Sequence, residues 1–437
     1  MVTGFLRQAK EVLSHPVSNW LVIGLVARVI LAPFFGHYYD NSTFMVVGAA
    51  VAHGLSPYGI YRVWDYFPNV NYLLYGNLQG YSYGVGYPPL WGLLLGGLYS
   101  ISYPLTHNLY VYNLALKLPI IAGDLAFALL LQAVVKTVTG DEATGRKAAA
   151  IWFLNPFVLV VGVVWGMFDV LPLTFILASL YLLYYGHWEW SAVALALANE
   201  FKPIGLVLVP ILFVYAWRVK SLRRAFYFSL LTLGVFVGIT YGILLGLAWP
   251  LNSFAASQTY QVSGALGGGS LYLPYVAYYF LVHGVDPTYF APILGILWLP
   301  AVAAVMLLYM YREKRATFAS LVFWSLLSVA VSYAARTFVD ETQFLIPISL
   351  LLLFAVCLKP PSRKEFLILS GVMTAFVLVH FPPVYFDWIS YSQAVNVTEA
   401  FTESPFWGEV RWLVTSLLIY AYTFHLFRYL WRARAAP

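Results

Sequence analysis

Hydrophobic residues fill this chain in long blocks, rather than in the alternation of a half-buried strand or the one-sided stripe of a soluble helix. Apolar runs fall near 17–36, 88–104, 107–121, 124–136, 148–165, 170–186, 190–201, 203–217, 225–247, 289–311, 317–335, 342–358, 365–382 and 409–431, punctuated by Pro, Gly and charge. Several approach the ~20 residues that cross a ~30 Å hydrocarbon core, where a helix satisfies every backbone N–H and C=O internally. The pattern predicts an all-α, polytopic transmembrane protein of about 12–14 helices, a single membrane domain over 1–437. Some runs are too short to cross alone. The pairs 107–136 and 190–217 are each one long helix or two short ones meeting at a polar tip. Lys117-Leu118-Pro119 and Lys202-Pro203 set a helix-interrupting proline in the middle of each, which favours two helices in both.

Composition agrees. Of 437 residues 61% are hydrophobic and 10% charged, against about 25% charged in soluble domains, and the mean hydropathy is +0.77. A soluble protein is excluded. One cysteine, Cys357, rules out a disulfide framework and cysteine metal clusters. The first apolar run follows Arg7 and Lys10 and lacks a small-residue cleavage site, so it reads as a retained helix rather than a removed signal.

The net charge of +6 is not a nucleic-acid signal, because its distribution follows the positive-inside rule. With both termini cytoplasmic, the predicted inner segments hold 18 of the 24 Lys and Arg, leaving Arg28, Arg62, Lys117, Lys202, Arg336 and Arg411 toward the outer half. The long non-membrane stretches 37–87, 250–288 and 383–408 also fall outside, so the chemistry is expected at the non-cytoplasmic boundary, with 37–87 as the first outer loop.

Ionisable groups at the mouths of membrane helices are costly and mark function by default. Here they are Arg28 in the first helix, Asp40 just after it, Lys117 and Asp124 around the first tip, Asp169, then Glu200 and Lys202 at the second tip, and finally Arg336, Asp340 and Glu341 between two later spans. The topology predicts that they converge at one depth. No His-Glu-x-x-His, Gly-x-Ser-x-Gly, P-loop or dinucleotide fingerprint occurs, and Gly267-Gly268-Gly269 follows no strand that would make it a phosphate cradle. Carboxylates with a few cations at the outer boundary suit a lipid-borne phosphate instead. Asp40 is the foremost candidate, either as a base accepting a hydroxyl proton or as the N-cap of the apolar stretch Phe44 to Val51. Most of the loop tyrosines read as interfacial anchors, with Tyr87 and Tyr83 the better binding candidates. Two sequons, at Asn41 and Asn396, fall outside; glycosylation of Asn41 would block its neighbour Asp40.

Read in order, the Arg-bearing first helix, Asp40, Gly54-Leu55-Ser56-Pro57-Tyr58, Tyr87-Pro88-Pro89-Leu90, Lys117-Leu118-Pro119 with Asp124, Asn155-Pro156, Trp165-Gly166-Met167-Phe168-Asp169 and Lys202-Pro203 resemble the GT-C superfamily of polytopic glycosyltransferases. The nearest branch is the polyprenyl- or dolichyl-phosphate-mannose-dependent mannosyltransferases, and the resemblance covers roughly residues 20–350. It implies inverting transfer of a hexose, mannose first, from an isoprenoid phosphate to a lipid-linked or membrane-associated glycan, with Asp40 as general base. Fixed cations would then steady the departing phosphate, Lys202 and Arg336 first, Lys117 and Arg28 second. The alternative is that they form buried ion pairs, Arg28 with Asp124 and Lys202 with Asp169. Asp124 and Asp169 would bind sugar hydroxyls or orient a lysine; Glu341 and Gln343 would bind sugar or cap the following helix. The chain has Tyr-Asp-Asn where relatives carry a paired acidic motif, so no cofactor is required and a divalent metal has no Asp-x-Asp to hold it. A secondary transporter or lipid flippase for a lipid-phosphate sugar is the rival reading, and a non-catalytic scaffold a third.

Overall fold

The computed structural model describes residues 19–68, 81–82, 84–259, 267–268, 271, 295–314, 316–357, 362–380 and 405–435. These are overwhelmingly helical. In chain order the main helices are α1 (Asn19–Leu31), α2 (Tyr38–Ala52), α3 (Pro89–Ser100), α4 (Leu109–Thr139), α5 (Glu142–Phe153), α6 (Pro156–Trp165), α7 (Val170–Tyr184), α8 (Trp188–Phe201), α9 (Val209–Val219), α10 (Leu222–Gly246), α11 (Leu251–Thr259), α12 (Trp298–Arg312), α13 (Phe318–Ala335), α14 (Leu345–Cys357), α15 (Ser362–His380) and α16 (Pro405–Ala435). Three of them, α4, α10 and α13, are long and apolar enough to cross a membrane, and α5 with α6, bent by 48° at a short break, make a fourth if taken as one span.

The helix ends follow from local chemistry. Asn108 caps α4 and Asp141 caps α5, each side chain accepting from two backbone N–H groups of the first turn. Asn155 caps α6 and Pro156 takes its first position, where a missing N–H costs nothing. The last turns of α6 open into a π segment, Val160–Trp165, which ends at Gly166 with φ 95°. A Cβ there would meet the Lys117 side chain at 3.1 Å and Asn41 Oδ1 at 3.3 Å, so glycine is needed on both counts.

Two expectations about helix count need correction. The pair 107–121 and 124–136 is one continuous 31-residue helix, α4, with Pro119 inside it. A lone proline removes one N–H, and in a long apolar helix the remaining ladder outweighs that loss. Lys117 and Asp124 therefore do not flank a tip. The run 88–104 is the 12-residue α3 followed by a separate turn, Tyr103–Thr106, about 18 Å of helix. It lies alongside α2: Phe44 packs on Tyr87 and Trp91, and His53 on Tyr99. The pair 190–217 does break where expected. Here α8 stops at Phe201, Lys202 is extended at φ −154°, ψ 124°, and Pro203–Leu208 continues as a 3-10 segment into α9.

Two short strand pairs complete the described parts. Tyr61–Arg62 (β1) pairs antiparallel with Tyr81–Ser82 (β2), and Gly267–Gly268 (β3) parallel with Phe338–Val339 (β4). The glycine run is thus a strand partner laid beside the segment that carries Arg336 and Asp340. One large core cluster holds Trp91, Trp152, Trp165 and Trp324, all fully buried, and Ala32, Ile121 and Val163 form a small second cluster. By contrast α10 is mostly uncovered, with Leu230 and Leu245 two-thirds exposed, as a lipid-facing helix requires.

Candidate functional site

Asp40 lies in the first turn of α2, but it is not the N-cap. His37 is, its side chain accepting from the Asp40 N–H. The Asp40 carboxylate is thereby released from capping and points to α6: Oδ2 accepts from the Trp165 indole N–H at 2.7 Å and lies 3.0 Å from His37 Nδ1. Burial works to raise this carboxyl, yet His37, the Trp165 hydrogen bond and the charge of Lys202 outweigh it and hold the group below the usual aspartate value.

What fixes α2 in place is a polar face of α4. Asn113 and Lys117, one turn apart, are both buried. The Asn113 amide donates to the carbonyls of Ala32, Pro33 and Phe35 at 2.9 Å each and accepts from Asn41. The Lys117 ammonium donates to the carbonyls of Ala32 and Phe35. These are the otherwise orphaned C=O groups at the exit of α1. Lys117 is therefore a strut for the turn leading into Asp40: two of its three donors go to backbone, and it does not line the pocket that Lys202 and Arg336 line. Asn41 is 3% exposed and tied to Asn113, so its sequon is buried.

Arg28 and Asp124 also leave the list of ligand contacts. Their side chains meet at 2.9 Å, with no exposed area on the arginine, which also donates to the carbonyls of Gly24 and Phe153 and stacks on the Phe153 ring. The buried ion pair is the observed outcome, locking α1 to α4 and α5. Glu200 is likewise not part of the cluster. It turns toward α10 and accepts from the Thr240 hydroxyl at 2.6 Å.

The remaining charges do gather. Lys202 donates to both oxygens of Asp169 at 2.9 and 3.1 Å and lies 3.4 Å from Asp340. Asp169, wholly buried before α7, also accepts from Thr342 at 3.0 Å. Asp340, not Glu341 or Gln343, caps the 3-10 turn Glu341–Phe344 through Thr342. Burial favours the neutral form of Lys202, but Asp169 and Asp340 outweigh it and hold the ammonium above the usual lysine value. The expected Lys202–Asp169 pair is thus present, and it does not remove Lys202 from the surface of a pocket.

That pocket, about 110 Å³, is lined by the polar residues Tyr87, Lys202, Arg336, Gln258 and Gln343 and by the apolar residues Pro203, Ile204, Leu206, Val207 and Trp298. Tyr87 forms its wall, with its ring edge-on to Phe168 at 4.9 Å and 5.4 Å from Lys202 Nζ. Gln343 is buried, and among the described residues no donor reaches its Oε1. Tyr83 lies outside the described residues, as does the Asn396 sequon. Among the described residues no three His, Cys, Asp or Glu gather as a metal would need.

Sequence reasoning missed His37, Trp165, Asn113, Thr342, Gln258 and Trp298. Two left a signal: a His three residues before Asp40 within one helical turn, and Asn113 with Lys117 as an i, i+4 polar pair on an apolar helix. No protein-family model matches the sequence, and no characterised protein does either.

Proposed function

We propose that this chain is a membrane glycosyltransferase of the GT-C kind. It takes a hexose, mannose being the first to test, from a polyprenyl or dolichyl phosphate and adds it with inversion to a lipid-linked or other membrane-associated glycan. The observation that carries the reading is a braced carboxylate, Asp40, within the field of Lys202, which together with Arg336 from a separate element lines a largely apolar pocket.

Each part answers a requirement of the reaction. An attacking hydroxyl needs a base within hydrogen-bond reach, and Asp40 supplies it. The hydroxyl oxygen bonds to the anomeric carbon, the carbon–phosphate oxygen bond breaks, the hydroxyl proton passes to Asp40, and the electron pair leaves with the polyprenyl phosphate. Lys202 and Arg336, the two cations that line the pocket, are the contacts for that anion. The apolar wall from Pro203 to Val207 with Trp298 suits the start of an isoprenoid tail. Tyr87 and Gln343, which line the same pocket, and Glu341 in the neighbouring 3-10 turn are the groups this reading assigns to sugar hydroxyls. Under the positive-inside rule the site faces the non-cytoplasmic side and both termini the cytoplasm.

The test is to incubate purified protein with radiolabelled polyprenyl-phosphate-mannose and a membrane lipid extract. Label should appear in a larger product, and Asp40→Asn should lower that transfer by about 10²–10⁴-fold with donor binding retained. Donor binding with no transfer by the unaltered protein would favour the flippase reading, which the broken helix at Lys202-Pro203 also accommodates.

A further inference from the structure

His37 and Trp165 form a device around Asp40 that neither the base role nor the pocket requires in itself. The imidazole lies flat on the indole, ring centroids 4.3 Å apart and planes within 7°. Both rings are buried, and both address the same carboxylate oxygen: Trp165 Nε1 donates to Oδ2 at 2.7 Å, and His37 Nδ1 is 3.0 Å from it. The backbone locks the pair together. The His37 N–H donates to the Trp165 carbonyl at 2.8 Å, and Nδ1 stands 3.2 Å from the Asp40 N–H. Among the described residues no hydrogen bond reaches Oδ1, and the Asp40 side chain keeps 21% of its surface open.

We infer that His37, in the form that carries a proton on Nδ1 and so gives up the bond from the Asp40 N–H, is the positioning residue of Asp40: with Trp165 it ties down Oδ2, leaves Oδ1 as the oxygen that meets the incoming hydroxyl, and through the Nδ1–H steadies the carboxylate charge. This rests on the reading of Asp40 as the base. A hydroxyl proton then goes to Oδ1 while Oδ2 stays on the indole N–H and the imidazole, so the carboxyl keeps its plane through turnover. A carboxylate held at one oxygen in a fixed plane is oriented before the substrate arrives, which is where orientation lowers a barrier. The other charged groups around it are Lys202 at the end of α8, Glu341 in the 3-10 turn after β4, and Lys117 of α4, whose ammonium is turned to the Phe35 carbonyl two residues upstream of His37. Of the groups that pull the Asp40 carboxyl down against burial, His37 is the largest, ahead of Trp165 and Lys202.

The experiment uses the full chain in detergent, with His37→Asn and Trp165→Phe, and two readouts. Infrared titration of the Asp40 carboxyl, assigned by subtracting Asp40→Asn, should show its midpoint rising by about one unit or more in His37→Asn, and by less in Trp165→Phe. In the transfer assay the acid limb of kcat/KM should move upward by the same amount, with the donor KM unchanged. An infrared midpoint equal to that of the unaltered protein in His37→Asn overturns the inference, whatever happens to stability. If His37→Asn does not fold, Trp165→Phe decides in the same way, an unmoved midpoint counting against the brace. A shifted infrared midpoint in a protein that transfers no sugar would keep the brace and remove the transferase reading.

Discussion

Arg28 and Lys202 are both buried cations paired to an aspartate, yet they answer to different demands. Arg28 has no exposed area and meets only Asp124, two backbone carbonyls and a phenyl ring. Nothing from outside can reach it. Removing one partner of such a pair strands a charge in low dielectric at about 3–5 kcal/mol, whereas replacing both by apolar residues is close to neutral. Arg28→Met should therefore lower the unfolding midpoint in detergent sharply, and Arg28→Met with Asp124→Leu should recover most of it while leaving turnover near the unaltered value. A double variant as unstable as the single one would show that the pair does more than hold helices. The distinction between Arg28 and Lys202 was not legible in the sequence, which offers the same residue types at helix mouths. It depends on partners 96 and 33 residues away. Asp40 was legible because it stands alone at a helix exit; that Trp165 holds it was not, since that contact joins residues 125 apart.

At the scale of elements, the two prolines that looked alike behave in opposite ways. Pro119 sits inside α4 and the helix runs through it, whereas Pro203 follows an extended Lys202 and begins a 3-10 turn. Sequence pattern alone gives both the same signal, a Lys shortly before a Pro in an apolar run. The difference is what the lysine finds: Lys117 finds carbonyls beside its own helix, while Lys202 is drawn out to Asp169 and Asp340. Pro203→Ala frees α8 to continue and turns Lys202 away from its acids, a displacement that costs on the order of 10²-fold in turnover. Pro119→Ala, which only restores a backbone bond, should stay within about twofold. Steady-state kinetics of the two variants side by side check this; equal losses would mean that the break at Lys202 has no part in the reaction.

For the whole molecule, the corrections to α3 and α4 offset each other. On the proposed reading, three predicted passes, at 88–104, 107–121 and 124–136, become one pass by α4, which brings the chain to the same side at Lys136. That reading keeps the orientation set by the charge bias, since one odd number of crossings replaces another. In the proposed topology Asp65, exposed beside β1, and Thr137, exposed near the end of α4, lie on opposite sides. With Cys357 replaced by serine, Asp65→Cys and Thr137→Cys should react with a membrane-impermeant maleimide from opposite faces of sealed vesicles. Labelling of both from one face would invalidate the topology and the sidedness of the site with it.

The strut on α4 gives that arrangement a scale. From Lys117, which grips the turn before Asp40, to Thr139 at the far end, α4 is unbroken, and at 1.5 Å per residue this stretch measures about 33 Å, close to the ~30 Å of a hydrocarbon core. In the proposed topology the depth of the carboxylate is therefore counted out in residues along one helix: α4 is a ruler that sets Asp40 about one bilayer thickness from its opposite end.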